Sequence, residues 1–255
     1  MDERDDWDRH WDDYDLTARY NPAQAFRREL MVYWLTQQAP AAKSRLLDIG
    51  SGQGDLIASL TRIFPSMEVA GVEMSATGIA QSKLKAPTAL FFQRDLQLVP
   101  EPDDTLLEWA SLAVCSEVLE HVDEPAQVLA NAARYLAPGA RLFITVPGGP
   151  ISAFDRHIGH RRHFDASSLG DIIRGAGLIP ERVCGVGFPF FNLYRLTVIL
   201  RGKALIKDAS GEGARQLSRP AKIAMGVFSL VLKRGLNSNA WGWQMIAQAR
   251  KPARA

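Results

Sequence analysis

Cysteine is scarce in this 255-residue chain, which has only Cys115 and Cys184. Both lie in apolar, strand-like runs, so buried free thiols are expected rather than a disulfide framework. No uninterrupted apolar run approaches the roughly 18 to 20 residues of a membrane span. The N-terminus is crowded with acids and lacks the apolar core of a secretory signal. These absences lead to the expectation of a cytoplasmic protein. A large charge of one sign is also lacking, since the formal net charge is +2. The charge is unevenly placed, however. Residues 2 to 15 carry Asp2, Glu3, Asp5, Asp6, Asp8, Asp12, Asp13 and Asp15, whereas residues 195 to 234 hold nine Lys or Arg against only Asp208 and Glu212. The two ends meet different surroundings, or each other.

What the chain does have is 47% hydrophobic and 23% charged residues, a composition that suits one compact domain with a helical elaboration. Its organising stretch is residues 45 to 56, in which an apolar run ending in Asp48-Ile49 meets glycines at 50, 52 and 54 before Leu56, Ile57 and Leu60 take up helical spacing. Strand, tight turn and helix are expected there. Glycine permits the left-handed backbone of such a turn and keeps a Cβ away from a ligand, and the helix start offers N–H groups to it. A tight connection with no ligand satisfies the same pattern.

The pattern alternates onward. Strands are expected at 46–50, 68–73, 90–93, 112–115, 141–146, 180–186 and near 243–249, with helices at 55–64, 75–85, 124–136 and 166–176. Such alternation makes an α/β fold with a mostly parallel sheet and helices on both faces, in which ligands sit beyond the carboxyl ends of the strands. Residues 1–42 are expected to form a helical cap, 43–186 the core, 187–238 a helical insertion, and 239–255 the last strand and tail, all within one domain. Three strand ends carry acids: Asp48, then Glu73 at the distance where an acid meets a ribose diol in nucleotide-binding folds, then Asp95, which could accept from an exocyclic amine. Helix N-caps also favour Asp at such places.

Taken together these stretches resemble class I S-adenosylmethionine-dependent methyltransferases. The resemblance rests on Leu46-Leu47-Asp48-Ile49-Gly50-Ser51-Gly52-Gln53-Gly54, Val72-Glu73-Met74-Ser75, Arg94-Asp95-Leu96, Ser116-Glu117-Val118-Leu119-Glu120-His121, and Tyr135-Leu136-Ala137-Pro138-Gly139-Ala140. It implies a Rossmann-like, seven-stranded sheet with an antiparallel last strand. It also implies S-adenosylmethionine as cofactor, with Glu73 on the ribose, Met74 against the adenine, Asp95 at the adenine amine, the Gly50–Gly54 turn under the methionine moiety, and Asp48, Ser51, Leu96 and Ser116 beside them. A nicotinamide oxidoreductase is disfavoured, because its pyrophosphate asks for Gly-x-Gly-x-x-Gly, whereas here the third glycine comes one residue early and Asp55 stands in its place. A cofactor-binding partner without catalysis is the other alternative.

Methyl transfer is expected to go to oxygen on a glycan, lipid or secondary-metabolite acceptor. Residues 155–164, Asp-Arg-His-Ile-Gly-His-Arg-Arg-His-Phe, hold three of the five histidines and resemble the Gly-His-x-Arg-x-aromatic stretch of a subset of these enzymes. His160, or else His157, is the candidate general base; Arg162, His163, Phe164 and Tyr20 of the cap are candidate acceptor contacts. Metal binding by Asp155, His157, His160 and His163 is a weaker alternative, and hydrogen bonds that merely fix the loop are a third. His121 is expected to be structural. The apolar stretches 188–206 and 222–234, bordered by Lys and Arg, allow peripheral contact with an anionic membrane, packing over the pocket, or a homodimer interface. The expected partner is therefore a small-molecule or lipid-linked acceptor and not a nucleic acid.

Overall fold

A computed structural model describes residues 21–38, 43–210, 225–226, 228 and 230–254. Its elements are α1 (Pro22–Thr36), β1 (Arg45–Ile49), α2 (Asp55–Ile63), β2 (Glu68–Glu73), α3 (Ala76–Lys85), β3 (Leu90–Gln93), β4 (Ala110–Ser116), α4 (Pro125–Ala133), β5 (Leu136–Pro147), α5 (Ala153–His157), α6 (Ala166–Gly175), β6 (Ile179–Val186), α7 (Phe190–Ser210), β7 (Ser238–Asn239) and β8 (Gln244–Arg250). The sheet runs β3-β2-β1-β4-β5-β8-β6-β7. β1 to β5 pair in parallel, and β8 lies antiparallel between β5 and β6. This is the Rossmann-like arrangement that the alternation implied.

Two-residue alternation sets the core. Leu46 and Leu47 are neighbours in β1 and both fully buried, but they belong to different clusters on opposite faces of the sheet. Leu47, Ile49, Val72 and Ile144 meet α4 and α6 through Leu129, Leu169 and Ile173. Leu46, Val114 and Phe143 meet α1 and α2 through Leu30 and Ile57. The cap helix thus forms part of the core. Asn21 starts it, its Oδ1 accepting from the Ala23 N–H at 2.9 Å, with Pro22 at the first helical position.

Four expectations change. The sheet has eight strands rather than seven, the added one being the two-residue β7 on β6, where Gly185 lies so close to Gly242 that a Cβ would stand 2.6 Å from the Gly242 carbonyl oxygen. Helix α4 stops at Ala133 instead of 136, because Tyr135 and Leu136 pair with β4 and lengthen β5 to twelve residues. The loop after β5 contains α5, started by a capping box in which Ser152 Oγ accepts from the Asp155 N–H and an Asp155 carboxylate oxygen accepts from the Ser152 N–H. In the insertion, α7 extends past 206 to Ser210. Tyr20 and the segment 211–224 lie outside the described residues.

Candidate active site

The carboxyl ends of β1, β2 and β4 open on a cavity of about 300 Å³, the size of a small-molecule site. Asp48, Gly50, Ser51, Gly52, Glu73, Met74, Asp95, Leu96, Ser116 and His160 line it, joined by Arg27 of α1 and by Glu117, Val118, Glu120 and His121 after β4.

The glycine turn is held by its own amides. The Gly50 and Ser51 N–H groups donate to the Val72 carbonyl, and the Gly52 N–H donates to Glu73 Oε2 at 2.8 Å, while Glu73 Oε1 accepts from the Ser75 N–H at 2.9 Å. Two backbone donors therefore fix the Glu73 carboxylate at the cavity wall. Gly50 and Gly52 have positive φ, 71° and 52°, which few side chains tolerate. Gly54 also has positive φ, 77°, but it is not in the lining: it starts α2 against Ser82, where a Cβ would approach within 2.8 Å. It seats the helix and does not border the cavity. Gly71 was not foreseen; a Cβ there would meet Ser51 Oγ at 2.7 Å and push the turn into the cavity.

The residues fit S-adenosylmethionine. Ser51 Oγ is buried at the turn without a hydrogen-bond partner, Met74, Leu96, Val118 and Val122 supply apolar walls for a base, and the Asn131 side chain donates to the Leu96 carbonyl at 3.0 Å to hold that wall. Asp95 borders the same side, with Oδ1 accepting from the Gln97 N–H. Asp48 forms the floor. Burial first, and then the Glu73 charge, push its carboxyl up to about 7. Its folded value lies above the unfolded one, so its charge costs nothing below pH 4, costs more as pH rises through 4 to 7, and costs in full above 7. Asp48→Asn should therefore stabilise the cofactor-free protein at pH 8, by up to about 4 kcal/mol at 1.36 kcal/mol per pH unit, and leave it unchanged at pH 4. Urea denaturation at the two values measures this.

The far wall is where sequence reasoning was least complete. Glu117 has φ +56°, a backbone state that costs on the order of 1 to 3 kcal/mol in a non-glycine residue and is held only by its surroundings. Its carboxylate meets Arg27 Nε at 2.9 Å and accepts from Gln244 Nε2 at 2.8 Å, while Arg27 Nε also donates to Gln244 Oε1 at 3.0 Å. Glu120 is fully buried on a 3-10 turn, and neither carboxylate oxygen has a hydrogen-bond partner. Burial, followed by the nearby charge of Glu117, raises its carboxyl well above the ordinary range. Such a group lining a cavity is a candidate functional residue. No local spacing tied Arg27 to Gln244 across 217 positions, but the Glu117…Glu120-His121 run itself was visible.

The histidine loop is brought in by its middle member. His160 is buried at the cavity, its ring 4.8 Å from that of His121 and edge-on to it. His163 Nδ1 lies 3.0 Å from the Gly149 carbonyl oxygen and must donate to it; its Nε2 then accepts from His160 Nδ1 at 3.3 Å, leaving His160 Nε2 a lone pair. Burial, then His121, lower His160 to about 2. A ring so hard to protonate is poorly suited to act as a general base near neutrality and better suited to accept a hydrogen bond through Nε2. The other candidates lie outside the cavity lining. His157 is exposed at the end of α5. Arg162 donates to the Asp123 carbonyl at 2.8 Å, His163 stands behind His160, and Phe164 is a core residue packed with β5 and α6. Asp155 is occupied by a bidentate pair with Arg195 of α7, at 2.8 and 2.7 Å, which speaks against its use as a metal ligand. Among the described residues, His/Asp/Glu trios with ligand atoms within 4.8 Å of one another are Asp155-His160-His163 and Glu120-His121-His160, so His157 joins none.

A nucleotide-type seat at the strand ends and a buried polar wall opposite it define a class I S-adenosylmethionine-dependent methyltransferase. The methyltransferase domain family model matches residues 23–181, and the chain belongs to that family. It is 27% identical over 213 residues to the ubiquinone biosynthesis O-methyltransferase of Xylella fastidiosa (strain 9a5c), covering 75% of this chain and 80% of that protein. To the enzyme of the same name from Thiobacillus denitrificans it is 24% identical over 205 residues, covering 72% and 85%. Solved structures share the fold. They include a TehB-like S-adenosylmethionine-dependent methyltransferase from Corynebacterium glutamicum (TM-score 0.53, 16% identity, 89% and 87% covered) and Haemonchus contortus phosphoethanolamine N-methyltransferase 2 in complex with S-adenosyl-L-methionine (TM-score 0.54, 19%, 94% and 60%).

Proposed function

We propose that this methyltransferase acts on a hydroxyl group, with Glu120 as the proton acceptor and His160 orienting the acceptor, which is a glycan, lipid or secondary metabolite. The observation that carries this reading is the buried Glu120 carboxyl at the cavity wall, with no hydrogen bond to either oxygen and His121 Nε2 3.9 Å from Oε1. Curated relatives named O-methyltransferases support oxygen as the nucleophile.

The cofactor supplies a sulfonium methyl group. Glu73 and the glycine turn would hold it, and the wall of Val118, Met74 and Leu96 would keep water from its base. His160 Nε2 is placed to accept a hydrogen bond from the acceptor hydroxyl and orient it, and Glu120 to take the proton that the hydroxyl would give up on methylation. Orientation of this kind lowers a barrier by about 7 to 11 kcal/mol when the geometry is in line. Arg27 and Gln244 keep Glu117 in place beside Glu120, where, after burial, it helps to push the Glu120 carboxyl up.

The Glu120-His121-His160 trio supports a second reading, a divalent cation that binds the acceptor oxygen and lowers its pKa. Incubation with S-adenosylmethionine and a panel of phenols, sugars and lipid alcohols, with S-adenosylhomocysteine and methyl ether products followed by mass spectrometry, tests the function. Methylation of amines with no ether formed would overturn the oxygen reading. Loss of ether formation after dialysis against a chelator, restored by a divalent cation, would favour the second mechanism.

A further inference from the structure

We infer that α7 is a two-sided element whose outer face seats the protein on an anionic membrane surface. Its inner face is fixed in the fold: Phe191 packs against Phe26 of α1 with ring centroids 5.1 Å apart, Arg195 pairs with Asp155, and Gly202 lies against α5, where an added Cβ would be 3.6 Å from that of Ala153. The outer face presents Leu193, Leu196 and Leu200, spaced by three and four residues on one side of the helix. Leu200 is 77% exposed and Trp241, beside the start of the helix, 72%; the Asn192 side chain donates to the Trp241 carbonyl and accepts from the Trp243 N–H, so this tryptophan is held at the same edge. Phe188 is exposed there too.

Exposed leucines alone do not name what covers them, but the charge around them does. Arg195 is spent on Asp155, but the part of α7 that follows Leu200 carries Arg201, Lys203 and Lys207 in its sequence against Asp208. A two-fold dimer through this helix would bring its like charges toward one another. An anionic bilayer attracts the basic residues while its interface accepts leucine, phenylalanine and tryptophan. Among the described residues no helix is long and apolar enough to cross a membrane, so the contact is superficial. The element that touches the bilayer also holds, through Arg195 and Asp155, the loop that brings His160 to the cavity, which places the seat and the active site on one support.

Co-sedimentation of the full chain with vesicles of phosphatidylcholine alone, or with phosphatidylglycerol added, is the test. Binding to the anionic vesicles, falling about tenfold or more between low and high salt as exposed charges are screened, is expected, with little binding to the neutral ones. Leu196→Glu and Leu200→Glu should each weaken it about tenfold, the effect expected from the burial of one leucine, with S-adenosylhomocysteine affinity unchanged as proof of folding. Absence of binding at low salt would overturn the inference. So would vesicle binding that ignores both substitutions, or a dimer in sedimentation equilibrium that Leu200→Glu dissociates. If both glutamate variants misfold, Trp241→Ser on the adjoining loop decides, unchanged vesicle binding counting against the inference and weakened binding for it.

Discussion

Glu120→Gln should lower kcat by about 10² to 10⁴, the range for losing a positioned proton acceptor, while S-adenosylhomocysteine affinity changes by no more than a few-fold. Glutamine keeps the volume of the side chain but cannot take a proton. The expectation rests on a carboxyl that is fully buried, has no hydrogen-bond partner on either oxygen and borders the cavity. Only the ionised form accepts a proton, and burial and Glu117 favour the neutral form. In the wild-type enzyme kcat should therefore rise with pH through the raised value of this group, and in Glu120→Gln that limb should be lost. Steady-state kinetics across pH, with a saturating acceptor, measure both effects. A glutamine variant with wild-type kcat would show that the proton leaves by another route.

Glu73→Ala should weaken S-adenosylhomocysteine binding by about 100-fold or more. A carboxylate that accepts two ribose hydroxyls makes two charge-assisted hydrogen bonds, each of about 1.5 to 3 kcal/mol. The side chain does a second job, since it accepts the Gly52 and Ser75 N–H groups and so ties the glycine turn to the start of α3. Alanine removes both, and part of the loss is a looser turn. Glu73→Gln separates the two contributions: it retains one acceptor oxygen and the volume, and should bind less weakly than alanine. Calorimetric titration of both variants gives the ratio, and an alanine variant within tenfold of wild type would remove the ribose role.

The cofactor half of the site was legible because its signals are local. Three glycines at alternate positions, followed by acids at the ends of β1, β2 and β3, each follow from what one strand, one turn and one helix start require, and all but Gly54 line the cavity. The acceptor half depends on residues far apart in the chain. Gln244 meets Glu117 and Arg27 only because β8 inserts between β5 and β6. Spacing made the histidines at 157, 160 and 163 look equivalent, yet a short helix ends at His157 and the chain turns at Gly159, with φ 89°, so that His160 enters the cavity while His157 stays in solvent. Phe164 read as a substrate contact because aromatic residues serve both purposes; its amide donates to the Pro147 carbonyl, which carries the ring into the core. Sequence gave no sign that Asp155 would be claimed by an arginine forty residues on.

The most direct measurement is calorimetric titration of the purified chain with S-adenosylhomocysteine at pH 6 and pH 8. The account predicts one molecule bound per chain, and affinity about tenfold tighter at pH 8, since Asp48 with its carboxyl near 7 must ionise before it can attract the ligand's ammonium group; Asp48→Asn should bind more weakly and lose the pH dependence. No heat of binding at either pH, or affinity that falls as the pH rises, would contradict it.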